Sequence, residues 1–181
     1  MAESEQPRKL SMDELNRDSV EAFKEKSKTP IVLVLDNVRS LNNVGSAFRT
    51  GDAFAVEKIY LCGITGTPPN KEINKTALGA TESVDWDHAE RTSELLKRLK
   101  AEGFKVLAVE QVTNSVSLKK FQPEKDQKYA LVFGNEVFGV EEEALALADT
   151  VLEIPQFGTK HSLNISVALG IVVWDLVSKL D

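Results

Sequence analysis

The chain has 181 residues, of which 42% are hydrophobic and 28% charged, a composition typical of one globular domain with a substantial core. A net charge of −6 argues against a protein that coats nucleic acid through bulk electrostatics, so any nucleic acid would have to be held by local basic groups. The single cysteine, Cys62, excludes a disulfide framework within a monomer, and two histidines are too few for a typical zinc site, so we expect no metal.

Residues 1–28 are polar and charged, with only a weak helical period. We expect them to form a helical arm or extension ahead of one domain that spans residues 29–181. They do not resemble a signal peptide, and a reducing cytoplasm is therefore the expected location.

Apolar runs and helical patterns alternate through the rest of the chain. The sequence predicts strands at residues 31–36, 58–62, 104–110, 129–134 and 151–154, and helices at 44–55, 71–79, 92–101, 141–148 and 162–179. Residues 83–90 fit either a short edge strand or a loop. Continuous apolar strands separated by helices predict an α/β fold, a mostly parallel sheet with helices on both faces, in which ligands bind at the carboxyl ends of the strands.

The first polar loop at a strand end covers residues 36–50. Asn43 suits a helix start, Gly45 allows close approach, and Arg49 offers a planar fork of donors suited to phosphate or carboxylate. An ordinary capped helix whose Arg49 pairs with a nearby acid remains the alternative.

The second loop covers residues 133–139. Gly134 and Gly139 bracket an Asn and a Glu, which indicates a tight turn with exposed backbone donors and with Glu136 in the mouth of a site. Alternatively, Glu136 caps the helix that begins at Glu141 or ties down the turn. No dinucleotide fingerprint, phosphate-binding loop or nucleophile turn occurs in the sequence.

The third loop leads from the last strand into the final helix. Pro155 ends the strand, Gly158 lets the chain curl around a ligand, Ser162 suits the N-cap, and Asn164 lies in the first turn. The apolar residues that follow occupy all faces, which predicts a helix covered on nearly every side, though one too short to span a membrane. Ser162 and Asn164 could instead be helix caps without a further role.

Local basic groups are the candidates for RNA contact, although each is more often a solvated surface charge. The N-terminal arm carries Arg8, Lys9 and Arg17. The remaining candidates are Arg39, Arg49, Lys71, Lys75, Lys160 and His161.

Taken in order, these three loops resemble the motifs of the SpoU or TrmH branch of the SPOUT RNA methyltransferases. The resemblance covers residues 31–180. It rests on Asn43 and Gly45 with Arg49 and Thr50, on Gly134, Asn135, Glu136 and Gly139, and on Ile154, Pro155 and Gly158 with Ser162, Leu163, Asn164 and Ser166.

The resemblance implies transfer of methyl from S-adenosylmethionine to a ribose 2′-hydroxyl of tRNA or rRNA. It also implies a SPOUT (α/β knot) fold with a C-terminal deep trefoil knot, and sites formed across a homodimer. A tRNA substrate is preferred, because the chain lacks a separate RNA-recognition domain.

The resemblance also assigns roles by position. Arg49 would act at the target ribose, near a cofactor bound in the partner subunit. Asn43 and Glu136 would orient that arginine and the hydroxyl, and Ser162 and Asn164 would line the reacting centre. The cofactor would be held, largely through main-chain groups, by Phe133, Gly134, Ile154, Gln156, Gly158 and Leu163, with Gln156 standing where many members carry Met.

Two other function classes stay open at this point. A non-catalytic RNA-binding or scaffold protein could share the fold, but it would be free to lose Arg49, Glu136 or Asn164, all of which are present. A flavodoxin-like, nucleotide-dependent oxidoreductase would fit the alternation of strands and helices but lacks a phosphate fingerprint.

Overall fold

The computed structural model describes residues 7–180, and a parallel sheet of seven strands runs through them. The strand order is β3-β2-β1-β6-β4-β7-β5, and each neighbouring pair is parallel. The predicted α/β fold with a mostly parallel sheet is confirmed. The strands are β1 (Thr29–Asp36), β2 (Val56–Cys62), β3 (Trp86–Ala89), β4 (Phe104–Val109), β5 (Val116–Ser117), β6 (Lys128–Phe133) and β7 (Thr150–Glu153).

Helices cover both faces of this sheet. The described helices are α1 (Val20–Glu25), α2 (Leu41–Ala53), α3 (Lys71–Ala77), α4 (Ala80–Ser83), α5 (Thr92–Ala101), α6 (Glu142–Leu145) and α7 (Ile165–Leu180).

The central strand β1 is apolar from Pro30 to Leu35, because it packs against helices on both faces of the sheet. Leu33 belongs to the core cluster that α2 and α7 share, whereas Val34 belongs to the cluster beneath α5 and α6. Successive side chains of a strand point to opposite faces, so a strand buried on both sides must be apolar at every position.

Two elements differ from the sequence prediction around the middle of the chain. The helix predicted at residues 71–79 ends at Ala77, because Leu78 and Gly79 adopt left-handed φ angles of 49° and 90°. The short helix α4 follows directly. The two-residue strand β5 was not predicted, whereas residues 83–90 contain the edge strand β3 that was one of two options.

The helices α2 and α7 begin at residues other than those predicted. Helix α2 begins at Leu41 with Ser40 as its N-cap, so Asn43 lies in the first turn instead of at the helix start. Helix α7 begins at Ile165, and the backbone N–H of Ser166 donates to the side chain of Asn164 over 2.9 Å. The prediction of Ser162 as N-cap is therefore wrong, and Asn164 caps the helix.

The sequence predicted that helix α7 is covered on nearly every side, but within one chain it is not. Its buried face carries Leu169, Val172, Val173 and Leu176. The opposite side carries an apolar stripe with exposed fractions of 49% at Val167, 38% at Ile171 and 60% at Trp174. Spacings of four and three residues put these side chains on one helix face.

The N-terminal part of the described chain holds a 3₁₀ turn at Asp13–Leu15 and the helix α1. Phe23 of α1 is buried and belongs to the core cluster that also contains β1 residues. Residues 1–6 of the predicted arm lie outside the described residues, and the domain boundary at residue 28 stays a prediction.

Among residues 7–180, no helix is both long enough and apolar enough to cross a membrane. The trefoil knot stays a prediction from the family resemblance.

Candidate active site

A cavity of about 480 Å³ lies at the carboxyl ends of β4, β6 and β7. Four segments form its wall. Three of them lie at the ends of β4, β6 and β7, and the fourth leads into α7. This is where ligands are expected in a parallel sheet, namely at the carboxyl ends of its strands. They are residues 109–111, 133–139, 152–154 with 156, and 162–165 with 168.

The loop after β6 folds back on itself at the cavity wall. Asn135 and Gly139 exchange backbone hydrogen bonds of 2.9 Å, and the Asn135 side chain accepts from the N–H groups of Val137 and Phe138. A Cβ at Gly134 would lie 2.1 Å from the carbonyl carbon of Gly139, so this turn cannot accommodate a side chain there. Gly134 therefore lets the loop close and leaves its backbone at the cavity.

The carboxylate of Glu136 is anchored to the start of α2. It accepts 2.9 Å hydrogen bonds from the backbone N–H groups of Arg39 and Ser40, and a 3.1 Å bond from Asn43 Nδ2. Partial burial raises the pKa of Glu136, but these donors together outweigh burial and hold its pKa below the usual value. Glu136 is thus an ionised carboxylate that binds the N-terminus of α2. It does not bind the N-terminus of the helix after Glu141.

Asn164 connects this network to α7. Its Nδ2 lies 3.4 Å from Asn43 Oδ1, while its Oδ1 accepts from the backbone N–H and the hydroxyl of Ser166. The alternative that Asn164 caps a helix is correct, yet the same side chain also lies at the cavity wall. Ser162 lines the cavity without capping the helix.

Glu110 and Gln111 are cavity residues that the sequence interpretation missed. The Glu110 carboxylate accepts from the backbone N–H groups of Gln111 and Val140, at 2.8 and 3.2 Å. Gln111 Nε2 donates to the carbonyl oxygen of His161 over 2.7 Å. Within the described part of the chain, this is the one hydrogen bond that holds residues 157–163.

The charge of the cavity wall is negative. Glu110, Glu136 and Glu153 line it, and none of the lining residues is Lys, Arg or His. Such a wall favours a ligand with positive charge and disfavours one that carries several phosphates.

Arg49 lies outside this cavity. It lines a second hollow, of about 410 Å³, together with Ser46, Thr50, Ala53, Phe54, Lys75 and Thr76. Among residues 7–180, Arg49 forms neither an ion pair nor a side-chain hydrogen bond, so the alternative of an arginine paired with a nearby acid is wrong. The resemblance implies that Glu136 and Asn43 orient Arg49. Within one chain, Arg49 makes no side-chain hydrogen bond to either of them.

The other predicted residues divide between the cavity and the surface. Phe133, Gly134, Ile154, Gln156 and Leu163 line the cavity, whereas Gly158 does not. The side chains predicted to contact RNA are exposed, namely Arg39, Lys71 and Lys160, in addition to Arg49 and Lys75 of the second hollow.

Comparison with known proteins gives a consistent result. The model of the SpoU rRNA Methylase family matches residues 30–174. A tRNA (guanosine(18)-2′-O)-methyltransferase of Thermus thermophilus is 31% identical over 162 residues, which cover 90% of this chain and 81% of that protein.

Two solved structures show the same fold. The A. aeolicus TrmH/SpoU tRNA modifying enzyme has a TM-score of 0.77 at 28% identity, over 88% of this chain and 79% of its own. An AdoMet-bound rRNA methyltransferase from Sinorhizobium meliloti has a TM-score of 0.76 at 28% identity, over 84% of this chain and 58% of its own. The predicted resemblance is confirmed: this chain belongs to the SpoU methylase family of RNA methyltransferases.

Proposed function

We propose that this protein transfers the methyl group of S-adenosylmethionine to a ribose 2′-hydroxyl of RNA. The observation that carries the proposal is the acidic, glycine-walled cavity at the carboxyl ends of β4, β6 and β7. Membership of the SpoU family supports the reaction class, and the relative whose structure contains AdoMet supports the donor.

The cavity fits such a donor in size, polarity and charge. Its volume of about 480 Å³ is that of a small-molecule site, and Val109, Leu152, Ile154 and Leu163 give it an apolar wall suited to a purine. Its carboxylates complement a sulfonium and an ammonium group. The phosphates of FMN or NAD would instead meet three negative side chains, which argues against the flavodoxin-like alternative.

When bound, S-adenosylmethionine supplies a sulfonium methyl group that a ribose oxygen attacks, which leaves S-adenosylhomocysteine and releases the hydroxyl proton. The contribution of the chain is to position the reactants. Ser162 and Asn164 offer polar groups at the wall of the cavity, and the hydrogen bonds of Asn164 to Asn43 and Ser166 keep its amide in one orientation. Positioning alone can contribute about 7–11 kcal/mol in favourable cases.

Glu136 is a positioning residue in this proposal and does not take the proton. Its carboxylate is already bound by three donors, and its lowered pKa makes it a weak base. The guanidinium of Arg49 has only N–H donors and no acceptor atom, so it does not take the proton either. A phosphate oxygen of the RNA or a water molecule therefore takes the hydroxyl proton.

A second copy of the chain completes the site. In one chain Arg49 lines a different hollow from the cavity, which supports an arginine supplied to the ribose by a partner. The exposed apolar stripe of Val167, Ile171 and Trp174 on α7 provides the surface for pairing. A homodimer would thus bring the Arg49 of one subunit to the cavity of the other.

We propose tRNA as the substrate in preference to rRNA. The relative from Thermus thermophilus is named as a tRNA methyltransferase, and the match covers 81% of its length. The match to the rRNA methyltransferase covers 58% of that chain, so much of that enzyme has no counterpart here. Action in the cytoplasm stays a prediction from the sequence.

The decisive experiment is transfer of labelled methyl from S-adenosylmethionine into total RNA from a strain that lacks this gene, followed by mapping of the modified nucleotide. We expect label on one 2′-O-methylated ribose in the tRNA fraction. Label only in rRNA would overturn the proposal that tRNA is the substrate. Label on a base would overturn the proposal that the methyl group goes to a ribose 2′-hydroxyl.

Calorimetry distinguishes the other function classes. S-adenosylmethionine is expected to bind, and FMN and NAD are not. If the donor binds but no RNA accepts methyl, the scaffold alternative is correct; if only FMN or NAD binds, the oxidoreductase alternative is correct.

A further inference from the structure

We infer that the second hollow, between α2 and α3, is a subsite for an RNA phosphate, in which Lys75 is a second cation beside Arg49. This inference rests on the proposed function and deepens it, because it names which part of the RNA this surface binds. The hollow has a volume of about 410 Å³.

The chemistry of its lining is that of an anion site. Arg49 and Lys75 provide two positive charges, and Ser46 and Thr50 provide hydroxyl groups. No carboxylate lines the hollow, although the whole chain carries 28 acidic against 22 basic residues. The nearby Asp52 is turned away, since it accepts a hydrogen bond from Ser83 of α4.

A glycine contact explains why Lys75 lies next to Arg49. A Cβ at Gly45 would lie 2.1 Å from Thr76 Oγ1 and 2.2 Å from the carbonyl oxygen of Ile73, so α3 packs directly on the backbone of α2. The Thr76 hydroxyl also donates to the carbonyl oxygen of Asn42 over 2.8 Å. These contacts fix the spacing of the two helices, and with it the spacing of the two cations.

Both cations are free to bind an anion. Among residues 7–180, Arg49 has no acidic partner, and Lys75 pairs only with Glu72, over 2.7 Å. In that pair the two side chains are 64% and 49% exposed, and an exposed pair of this kind contributes little. A phosphate can therefore replace Glu72 as the partner of Lys75, while Arg49 binds it through two N–H groups.

The walls of the cavity and of the second hollow thus carry opposite charges. The cavity that is proposed to bind the sulfonium donor is lined by three carboxylates, and the hollow beside Arg49 is lined by two cations. A polyanionic RNA is repelled by the first and attracted by the second, so the RNA backbone is held beside the donor site without entering it.

The test compares Lys75→Ala with the control Lys97→Ala, which removes a charge from an exposed lysine of α5, outside the hollow. Binding of unmodified bulk tRNA is measured over a series of salt concentrations, together with steady-state methyl transfer. Lys75→Ala is expected to weaken tRNA binding roughly tenfold, as for loss of one charged hydrogen bond. It should also reduce the slope of log affinity against log salt by roughly 0.7–0.9.

The same change should raise KM with little effect on kcat, and Lys75→Arg should restore both binding and slope. An unchanged salt slope, or equal effects of Lys75→Ala and Lys97→Ala, would overturn the phosphate subsite. Loss of dimerisation in Lys75→Ala, seen by light scattering, would overturn it too, because the lysine would then contact protein. Failure of the wild-type protein to methylate any RNA would instead reject the proposed function.

Discussion

Asn43 and Glu136 are 93 residues apart in the chain, yet Asn43 Nδ2 donates a 3.1 Å hydrogen bond to Glu136 Oε1. The bond joins the first turn of α2, which follows β1, to the loop after the neighbouring strand β6. Asn164 extends the connection to the start of α7. The three sequence motifs are therefore one hydrogen-bonded unit, and a change in any of them should disturb the others.

The anchored carboxylate predicts a pH-dependent contribution to stability. Because the folded-state pKa of Glu136 lies below its unfolded value of about 4.3, its contribution is fully present above that value and is lost as the pH falls through the folded pKa. Glu136→Gln should lower the free energy of unfolding at neutral pH, and the difference from wild type should shrink in acid. Urea denaturation over a pH series measures it. Glu82→Gln controls for loss of one surface charge, and an equal, pH-independent difference in both variants would contradict the anchoring role.

A site shared between subunits predicts rescue by mixing two inactive variants. Arg49→Ala and Asn164→Ala should each lose nearly all methyl transfer. A heterodimer of the two contains one intact site, the cavity of the Arg49→Ala subunit with the arginine of the other. After random exchange about a quarter of wild-type activity should return, because half of the dimers are mixed and each has one working site of two.

Activity that stays near zero after mixing would place Arg49 and Asn164 of one chain in the same site. Arg49→Lys tests the guanidinium separately, since a lysine keeps the charge but not the planar fork. If Arg49→Lys kept nearly full turnover, the planar arrangement of the guanidinium N–H groups would not be needed for the reaction.

The apolar stripe on α7 predicts a variant that stays folded but is monomeric. Ile171→Glu places a charge in the middle of the stripe, at a side chain that is already 38% exposed in one chain. We expect light scattering to give the monomer mass, calorimetry to give S-adenosylmethionine binding, and methyl transfer to be lost. Met12→Glu, at an exposed apolar residue of the N-terminal segment, is the control. A monomeric Ile171→Glu with full activity would refute a shared site.

The close packing of α2 on α3 predicts a large effect of one added methyl group. Gly45→Ala should destabilise the fold by about 1–3 kcal/mol, because its Cβ would meet backbone at 2.2 Å, where little can yield. Chemical denaturation measures the change. In Gly158→Ala the new Cβ would meet nothing within 4 Å, so that variant should be close to wild type. Equal stability of the two variants would show that α3 can move away from α2.

The centre of the sheet was predictable because its strands contain long apolar runs. Residues 31–36, 58–62 and 129–134 were predicted within two residues of the observed strands, since burial on both faces leaves a strong pattern. The strand β5 has two residues and carries no such pattern. The helix start at Ile165 was missed because Ser162 and Asn164 are both good caps, and only the fold decides between them.

The site was predictable in part. Glu110 follows β4 directly, so the rule that ligands bind at the carboxyl ends of parallel strands could have identified it, but no motif drew attention to it. The separation of Arg49 from the cavity of its own chain could not be read from residue spacing, and only the family resemblance, which implies a site shared between subunits, pointed to it. The lowered pKa of Glu136 likewise depends on donors from Arg39 and Ser40, far away in the chain.

The hydrogen bond from Gln111 to His161 bears on how the proposed donor would leave the cavity. Residues 157–163 are exposed, and this single contact ties them to the end of β4. Breaking one such bond costs about 1 kcal/mol, far less than disturbing a strand or a helix. Opening of residues 157–163 would thus leave the sheet intact, and it would give the proposed donor an exit past Ser162 and Leu163 of the cavity wall.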